Sequence, residues 1–361
     1  MMSKICILSA VNIKHMAMIS LYTERLLRDG IDFDIVYMDK YGEEEDFPAT
    51  NKYVFKNIID HEQPRWKKAI RYMRFRSYAI NVLNKNQYDF IIVWNDVAII
   101  MFADYLARKW RGKYALNIRD YCHQRFRPIY WMFSWVIRNS SFTTVSSLGF
   151  CEFLPPSDYI QVHSLNMPVL RKLSPRDSFR AVDQPIRIGF VGYVRFIEIN
   201  SRLLDIFKND PRFELHYYGA HSEYLQEYAI DNGIHNACFH GAFPVQDTNV
   251  YMDKIDVVNN LYGNQSLALD YALSIKLYNG VWCRLPILVC PGTYMEKIAD
   301  EYKIGYTVHS YDDDLKDRVY EWYRNLDFDI FNDNCERFIA TVEKENQAFE
   351  NAYQHHIASI R

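Results

Sequence analysis

Apolar residues recur along the chain in short, nearly continuous runs, each followed by a stretch with helical spacing. Ile5 to Leu8 is the first run, and Ser9, Ala10, Val11 and Asn12 follow it. Met16 to Arg28 has the helical period and stops at Gly30, which can end a helix in a left-handed conformation. Phe33 to Met38, Asp89 to Trp94, Tyr114 to Ile118 and Phe142 to Val145 are the next strand candidates, at helix-separated intervals. Strands that are apolar throughout must be covered on both faces, so the pattern predicts a parallel sheet with helices on either side.

The rhythm then breaks. Between residues 164 and 186 stand Pro168, Pro175 and Pro185, with Arg171, Lys172, Arg176 and Arg180 between them. After this stretch the alternation restarts at Ile186–Val191, Phe213–Tyr218, Ile255–Asn260 and Pro286–Val289. The end, about Asp329 to Ile357, has helical spacing and no strand. The fold class expected is α/β, with two Rossmann-like, doubly wound parallel sheets. The expected layout is a first domain at 1–168, a linker at 169–185 and a second domain at 186–340. Residues 341–361 form a final helix able to pack back on the first domain. In such sheets ligands sit at the carboxyl ends of the strands, which makes a cleft between the units the expected site.

Composition narrows the class. A chain of 361 residues with 49% hydrophobic and 24% charged positions is globular and long enough for two cores. No run reaches the roughly 18 apolar residues of a membrane span, since Asn95 and Asp96 interrupt the best one, Phe90 to Phe102. Seven cysteines without a C-x-x-C pair fit neither a disulfide scaffold nor a zinc module, so a reducing cytoplasm is the expected compartment. Net charge is −3, but residues 1–180 hold 26 Lys and Arg against 18 Asp and Glu, and the remainder is acidic. A basic half suits phosphate or an anionic membrane surface. No nucleic-acid motif accompanies it, and the acidic second half speaks against that partner.

Chemistry concentrates in Ser274-Ile275-Lys276-Leu277-Tyr278-Asn279-Gly280, followed by Leu285-Pro286-Ile287-Leu288-Val289. A helix opening near Lys276 offers free backbone N–H groups, a positive dipole end and a full charge, a combination that suits a diphosphate. Ile188-Gly189-Phe190-Val191-Gly192-Tyr193-Val194-Arg195 is a buried strand running into a glycine turn, where Gly192 permits close approach of a ligand to the backbone. It lacks the third glycine of a dinucleotide fingerprint. Tyr217-Tyr218-Gly219 and His240-Gly241-Ala242-Phe243 also end in glycine turns, and Tyr114 to Ile118 runs into Arg119, Asp120, Tyr121, Cys122 and His123.

Pro64 to Arg76 mixes cations with aromatics, and Trp66, Ile70 and Met73 fall at i, i+4 and i+7. That stripe fits either a buried helix face or an amphipathic face against an anionic membrane. The run Tyr130 to Ile137, flanked by Arg125, Arg127 and Arg138, can add to such a face.

The order Lys276-Leu277-Tyr278, then Leu285-Pro286-Ile287-Leu288-Val289, resembles the donor-site signature of the family-4-type, retaining GT-B glycosyltransferases of bacterial capsule, O-antigen and exopolysaccharide assembly. More weakly, the resemblance extends over most of the chain. It implies metal-independent transfer of a sugar from a nucleotide-sugar to a glycan or polyprenyl-diphosphate-linked acceptor, without a cofactor, in surface polysaccharide synthesis. It assigns Lys276, Leu277, Tyr278 and Asn279 to the donor, with Gly192 and Arg195 near the diphosphate and Gly219, Gly241 and Phe243 near the base. It places Asp120 or His123 beside the sugar as catalytic candidates and Asn12 and His15 in an acceptor-side loop. The family carries Glu where this chain has Asn279, and many members carry another Glu eight residues earlier, where this chain has Tyr271 beside Asp270. Two alternatives follow: a non-catalytic nucleotide-sugar or glycan binder on the same scaffold, and a nucleotide-sugar epimerase.

Overall fold

The computed structural model describes residues 4–16, 18–58, 64–262 and 265–360, without the side chains of Arg65 and Lys68. Two compact units divide the chain: 1–163 together with 344–361, and 164–343.

The first unit is built on seven strands: β1 Lys4–Ser9, β2 Asp32–Asp39, β3 Asn51–Lys56, β4 Phe90–Trp94, β5 Tyr114–Ile118, β6 Phe142–Val145 and β7 Tyr159–Gln161. All pairings are parallel, in the order β3-β2-β1-β4-β5-β6-β7. β1, β4, β5 and β6 are the buried apolar runs of the sequence, which explains their central places. The chain moves one way from β1 to β3 and the other way from β3 to β6. Right-handed crossovers therefore put the helices Arg65–Asn86, Asp96–Lys109 and Arg127–Arg138 on one face, and Ser20–Arg28 on the other. Tyr22 of that opposite face packs edge-on against Phe349 at 5.1 Å, within the long helix Phe328–His356.

The second unit carries β8 Ile186–Val191, β9 Phe213–Tyr218, β10 Ala237–His240, β11 Val257–Asn259, β12 Ile287–Val289 and β13 Gly305–Thr307. They form a parallel sheet in the order β10-β9-β8-β11-β12-β13, so the direction of winding reverses between β8 and β11. Within 169–185, the expected linker, Val169, Leu170 and Leu173 are buried in the core of this unit. Arg176 and Arg187 hold the fully buried Asp256, with Arg187 donating to it from Nε and Nη2 at 2.8 Å. Burial alone would raise the Asp256 carboxyl; the two guanidiniums outweigh it and keep it below the usual range. The proline-rich stretch is thus clamped onto the second sheet by a buried charge network, which its proline spacing does not reveal.

Candidate functional site

The winding reversal between β8 and β11 opens a crevice at the carboxyl end of the second sheet, where neighbouring connections leave to opposite faces. A cavity of about 500 Å³ lies there, lined by Gly192, Arg195, Gly219, Phe243, Tyr262, Ser274, Lys276 and Asn279 among others. Its floor depends on two glycines. Gly192 has φ +126° and Gly219 φ +141°, and a Cβ on Gly219 would stand 1.8 Å from the Gly192 carbonyl oxygen. Only an absent side chain lets the ends of β8 and β9 meet so closely.

The helix Ile275–Cys283 points its start into this cavity. Ser274 caps it in an extended conformation, its Oγ accepting from the Lys276 backbone N–H at 3.2 Å. Lys276 is 8% exposed. Its Nζ sits 3.7 Å from the centroid of the Phe190 ring and 4.5 Å from that of Tyr262, and it donates to the Tyr262 hydroxyl. Among the described residues no carboxylate pairs with it. A buried ammonium normally demands a countercharge. Here two aromatic faces and one phenol oxygen stand in, and they leave a positive charge facing the cavity. The exposed Arg195 lines the same cavity, its guanidinium 5.3 Å from the Tyr193 ring centroid.

Tyr262 answers this charge. Burial pushes its phenol up, but the Lys276 ammonium outweighs burial, with Ser274 and Arg195 adding to it, and the net shift is downward. Its hydroxyl also lies 3.2 Å from the Ser274 Oγ.

One buried acceptor beside this cationic centre has no donor among the described residues. Asn279 is 6% exposed and lines the cavity, and its Oδ1 is buried with no hydrogen-bond partner among the described residues. Asn260 and Asp270 each have a buried side-chain oxygen in the same condition. Burial raises the Asp270 carboxyl, against a backbone hydrogen bond from Ser266. An unmade hydrogen bond on a buried acceptor costs about 1–3 kcal/mol. Two cations together with the unmet Asn279 oxygen fit a ligand that carries both negative charge and a hydrogen-bond donor.

The remaining sequence candidates are placed differently. Leu277 and Tyr278 are core residues of the second unit, and Tyr278 stacks on Phe338 at 6.2 Å. Phe243 lines the cavity and packs on Tyr251 at 4.2 Å, whereas Gly241 is exposed and outside the lining. In the first unit, Asn12 is fully buried and clamps a loop: its Nδ2 donates to Asp39 at 2.8 Å and Glu45 at 3.2 Å, and its Oδ1 accepts from Lys40 N–H at 2.8 Å. His15 is exposed and lies 5.3 Å from the Tyr41 ring. Asp120 is exposed just past β5, its Oδ1 accepting from Tyr121 N–H at 2.7 Å, and His123 is exposed with φ +59°.

Sequence reasoning missed Asp96, the first residue of Asp96–Lys109. It is 4% exposed and bonded by Gln124 Nε2 at 3.1 Å. Burial raises its carboxyl to about 8, aided by the charge of Asp120. Tyr262 was missed as well; its only sequence signal is its place just past β11. Among the described residues, no three His, Cys, Asp or Glu side chains gather to hold a metal ion.

No protein-family model and no curated protein matches this sequence. Solved structures do match along their whole length. HepE from Anabaena in complex with UDP superposes with a TM-score of 0.68 at 12% identity, covering 98% of this chain and 100% of that one. The lipopolysaccharide outer core galactosyltransferase WaaB in its apo form gives 0.65 at 14%, with the same coverage. A UDP-N-acetylglucosamine 2-epimerase from Listeria monocytogenes gives 0.55 at 10%, covering 96% of this chain and 97% of that one. With its two parallel-sheet units, the chain has the GT-B fold expected from its sequence, a fold populated chiefly by glycosyltransferases among these neighbours. Identities this low speak for the fold alone.

Proposed function

We propose that this chain is a glycosyltransferase that moves a sugar from a nucleoside-diphosphate sugar to a glycan or lipid-linked glycan acceptor. The observation that carries the reading is Lys276, a buried cation at a helix start, facing a cavity of about 500 Å³ and paired with no carboxylate among the described residues. As the bond from the anomeric carbon to the β-phosphate oxygen breaks, its electron pair stays on the diphosphate. Lys276, the helix start and Arg195 are cations and dipoles already fixed where that charge grows. The unpartnered Asn279 Oδ1 is suited to accept from a ribose hydroxyl. UDP in the HepE structure and the sugar transferred by WaaB support a nucleotide-sugar donor and a role in surface polysaccharide synthesis. Retention of configuration and independence of metal ions follow the resemblance of the Lys276 segment. Seven cysteines, all free, suit a cytoplasmic setting.

Lys276→Ala is expected to lower turnover of the donor at least ~100-fold. Release of nucleoside diphosphate from UDP-sugars in the presence of acceptor measures it, and turnover close to wild type would sink the assignment. The epimerase among the structural neighbours motivates a second reading. An epimerase forms its product without an acceptor, so strict acceptor dependence separates the two.

A further inference from the structure

β11 ends on Asn259, and its side chain fixes the chain that follows. The Asn259 Oδ1 accepts from the Leu261 N–H at 3.0 Å, and its Nδ2 donates to the Oδ1 of Asn200 at 3.0 Å. Asn200 is fully buried in the helix Ile197–Ile206. Its Nδ2 donates in turn to the carbonyls of Arg195 at 3.1 Å and Phe196 at 3.0 Å. Two buried amides thus tie the chain leaving β11 to the turn that leaves β8. A buried polar network satisfied at its oxygens and nitrogens is rigid.

Tyr262 follows this anchor and lines the cavity. Its ring packs 6.2 Å from that of Phe190 and 5.4 Å from that of Phe196. A small neighbouring cavity is lined by Tyr262 with Asn260, Leu269, Cys290, Thr293 and Met295, and no carboxylate is among them. The charges that reach the phenol are the cations Lys276 and Arg195.

The hydroxyl closes a ring of hydrogen bonds. An ammonium can only donate, so the Tyr262 oxygen accepts from Lys276 Nζ. The same oxygen lies 3.2 Å from Ser274 Oγ, which accepts from the backbone N–H of Lys276 at 3.2 Å. The lysine side chain is therefore bent back and held at the start of its own helix. It passes Gly192, where an added Cβ would stand 4.0 Å from Lys276 Cε. Among the described residues, Tyr262 supplies the ammonium with its one hydrogen-bond acceptor. Without that bond each arriving ligand would have to immobilise a long, flexible side chain, which lowers affinity by up to about tenfold.

We propose that Tyr262 is a positioning residue for the diphosphate: its hydroxyl holds the Lys276 ammonium at the helix start, ready for the charge of the leaving group, while Asn259 and Asn200 hold the chain that carries Tyr262. The proposal rests on the reading of this cavity as a nucleotide-sugar donor site.

Tyr262→Phe tests it, because the ring stays against Lys276 and only the hydroxyl goes. UDP is the probe, being the leaving group with its charge fully developed. Calorimetry is expected to give a Kd for UDP about tenfold above that of the wild type. In a Lys276→Ala background the same substitution is expected to change nothing further, since Tyr262 acts through the ammonium. A merely structural tyrosine would lose the same factor in both backgrounds. A second measurement uses no ligand. The tyrosinate absorbance that Tyr262→Phe removes is expected below the usual tyrosine range in the wild type. It should move up in Lys276→Ala, where the largest charge opposing burial is gone. Unchanged or tighter UDP binding by Tyr262→Phe, an equal loss in both backgrounds, or a tyrosinate signal indifferent to Lys276 overturns the inference. Lys276→Ala binding UDP as tightly as the wild type overturns the donor reading itself, and the tyrosinate signal then decides whether Tyr262 holds Lys276.

Discussion

Lys276 and Asn279 sit within one helical turn, and each lacks a partner of its own kind. Among the described residues the ammonium has no anion, and the carboxamide oxygen has no donor. A ligand carrying phosphate and a hydroxyl group would meet both. Asn279→Ala is expected to raise the Kd for UDP about tenfold, the worth of one hydrogen bond. The melting temperature of the ligand-free protein should not fall, because the oxygen removed has no partner among the described residues. Asn279→Glu is expected to tighten UDP binding, since a carboxylate accepts more strongly than an amide. Calorimetry on the three proteins reads both effects. A drop in apo stability equal to the loss of affinity would assign Asn279 to the scaffold instead.

Elements differ in how far their sequence announced them. β1, β4, β5, β6, β8 and β9 were legible because a central parallel strand must be apolar on both faces. β3 escaped because it is an edge strand, exposed or half-buried along its length, and β7, β10 and β13 for the same reason, being short edge strands that are mostly not buried. At the cavity of the second unit, the helix start near Lys276 was readable. Tyr262 was not, because its role comes from the register that carries the end of β11 to the Lys276 ammonium. Asp96 was hidden for a similar reason: its burial depends on Gln124 and the loop after β5 folding over it. Asp96 also sets an expectation at the level of its helix. Its carboxyl rises from the ordinary range to about 8 in the folded chain. Between those two values the folded state holds a proton that the unfolded state has lost, so stability falls as pH rises through this window. Asp96→Asn mimics the protonated form and keeps an oxygen for Gln124. Chemical denaturation from pH 5 to 8 should show that the wild type loses on the order of a few kcal/mol that the variant retains.

At the scale of the whole molecule, the helix Phe328–His356 serves two cores. Phe331, Cys335, Phe338 and Val342 are buried in the second unit, and Phe349 and Tyr353 in the first. Arg25 at 2.6 Å and Arg28 at 2.9 Å both hold Glu350, whose carboxyl falls to about 2 as their hydrogen bonds and that of Gln354 overcome its burial. A chain stopped after Glu343 should keep a second unit that binds UDP, while its first unit melts early. Two separate transitions in a calorimetric scan, with UDP moving only the upper one, would register that. A single transition at the wild-type temperature would count against it.

The same helix sets the order in which the protein can mature on the ribosome. Residues 164–343 emerge as an uninterrupted stretch and can fold as soon as they clear the exit tunnel. Residues 4–163 are made first, yet the pocket for Phe349, Tyr353 and Ile357 stays open until those side chains have been synthesised. Of the two units, the one whose synthesis begins earlier is thus the one to close later, and it is the one that waits with sticky surface exposed and depends more on chaperones during translation.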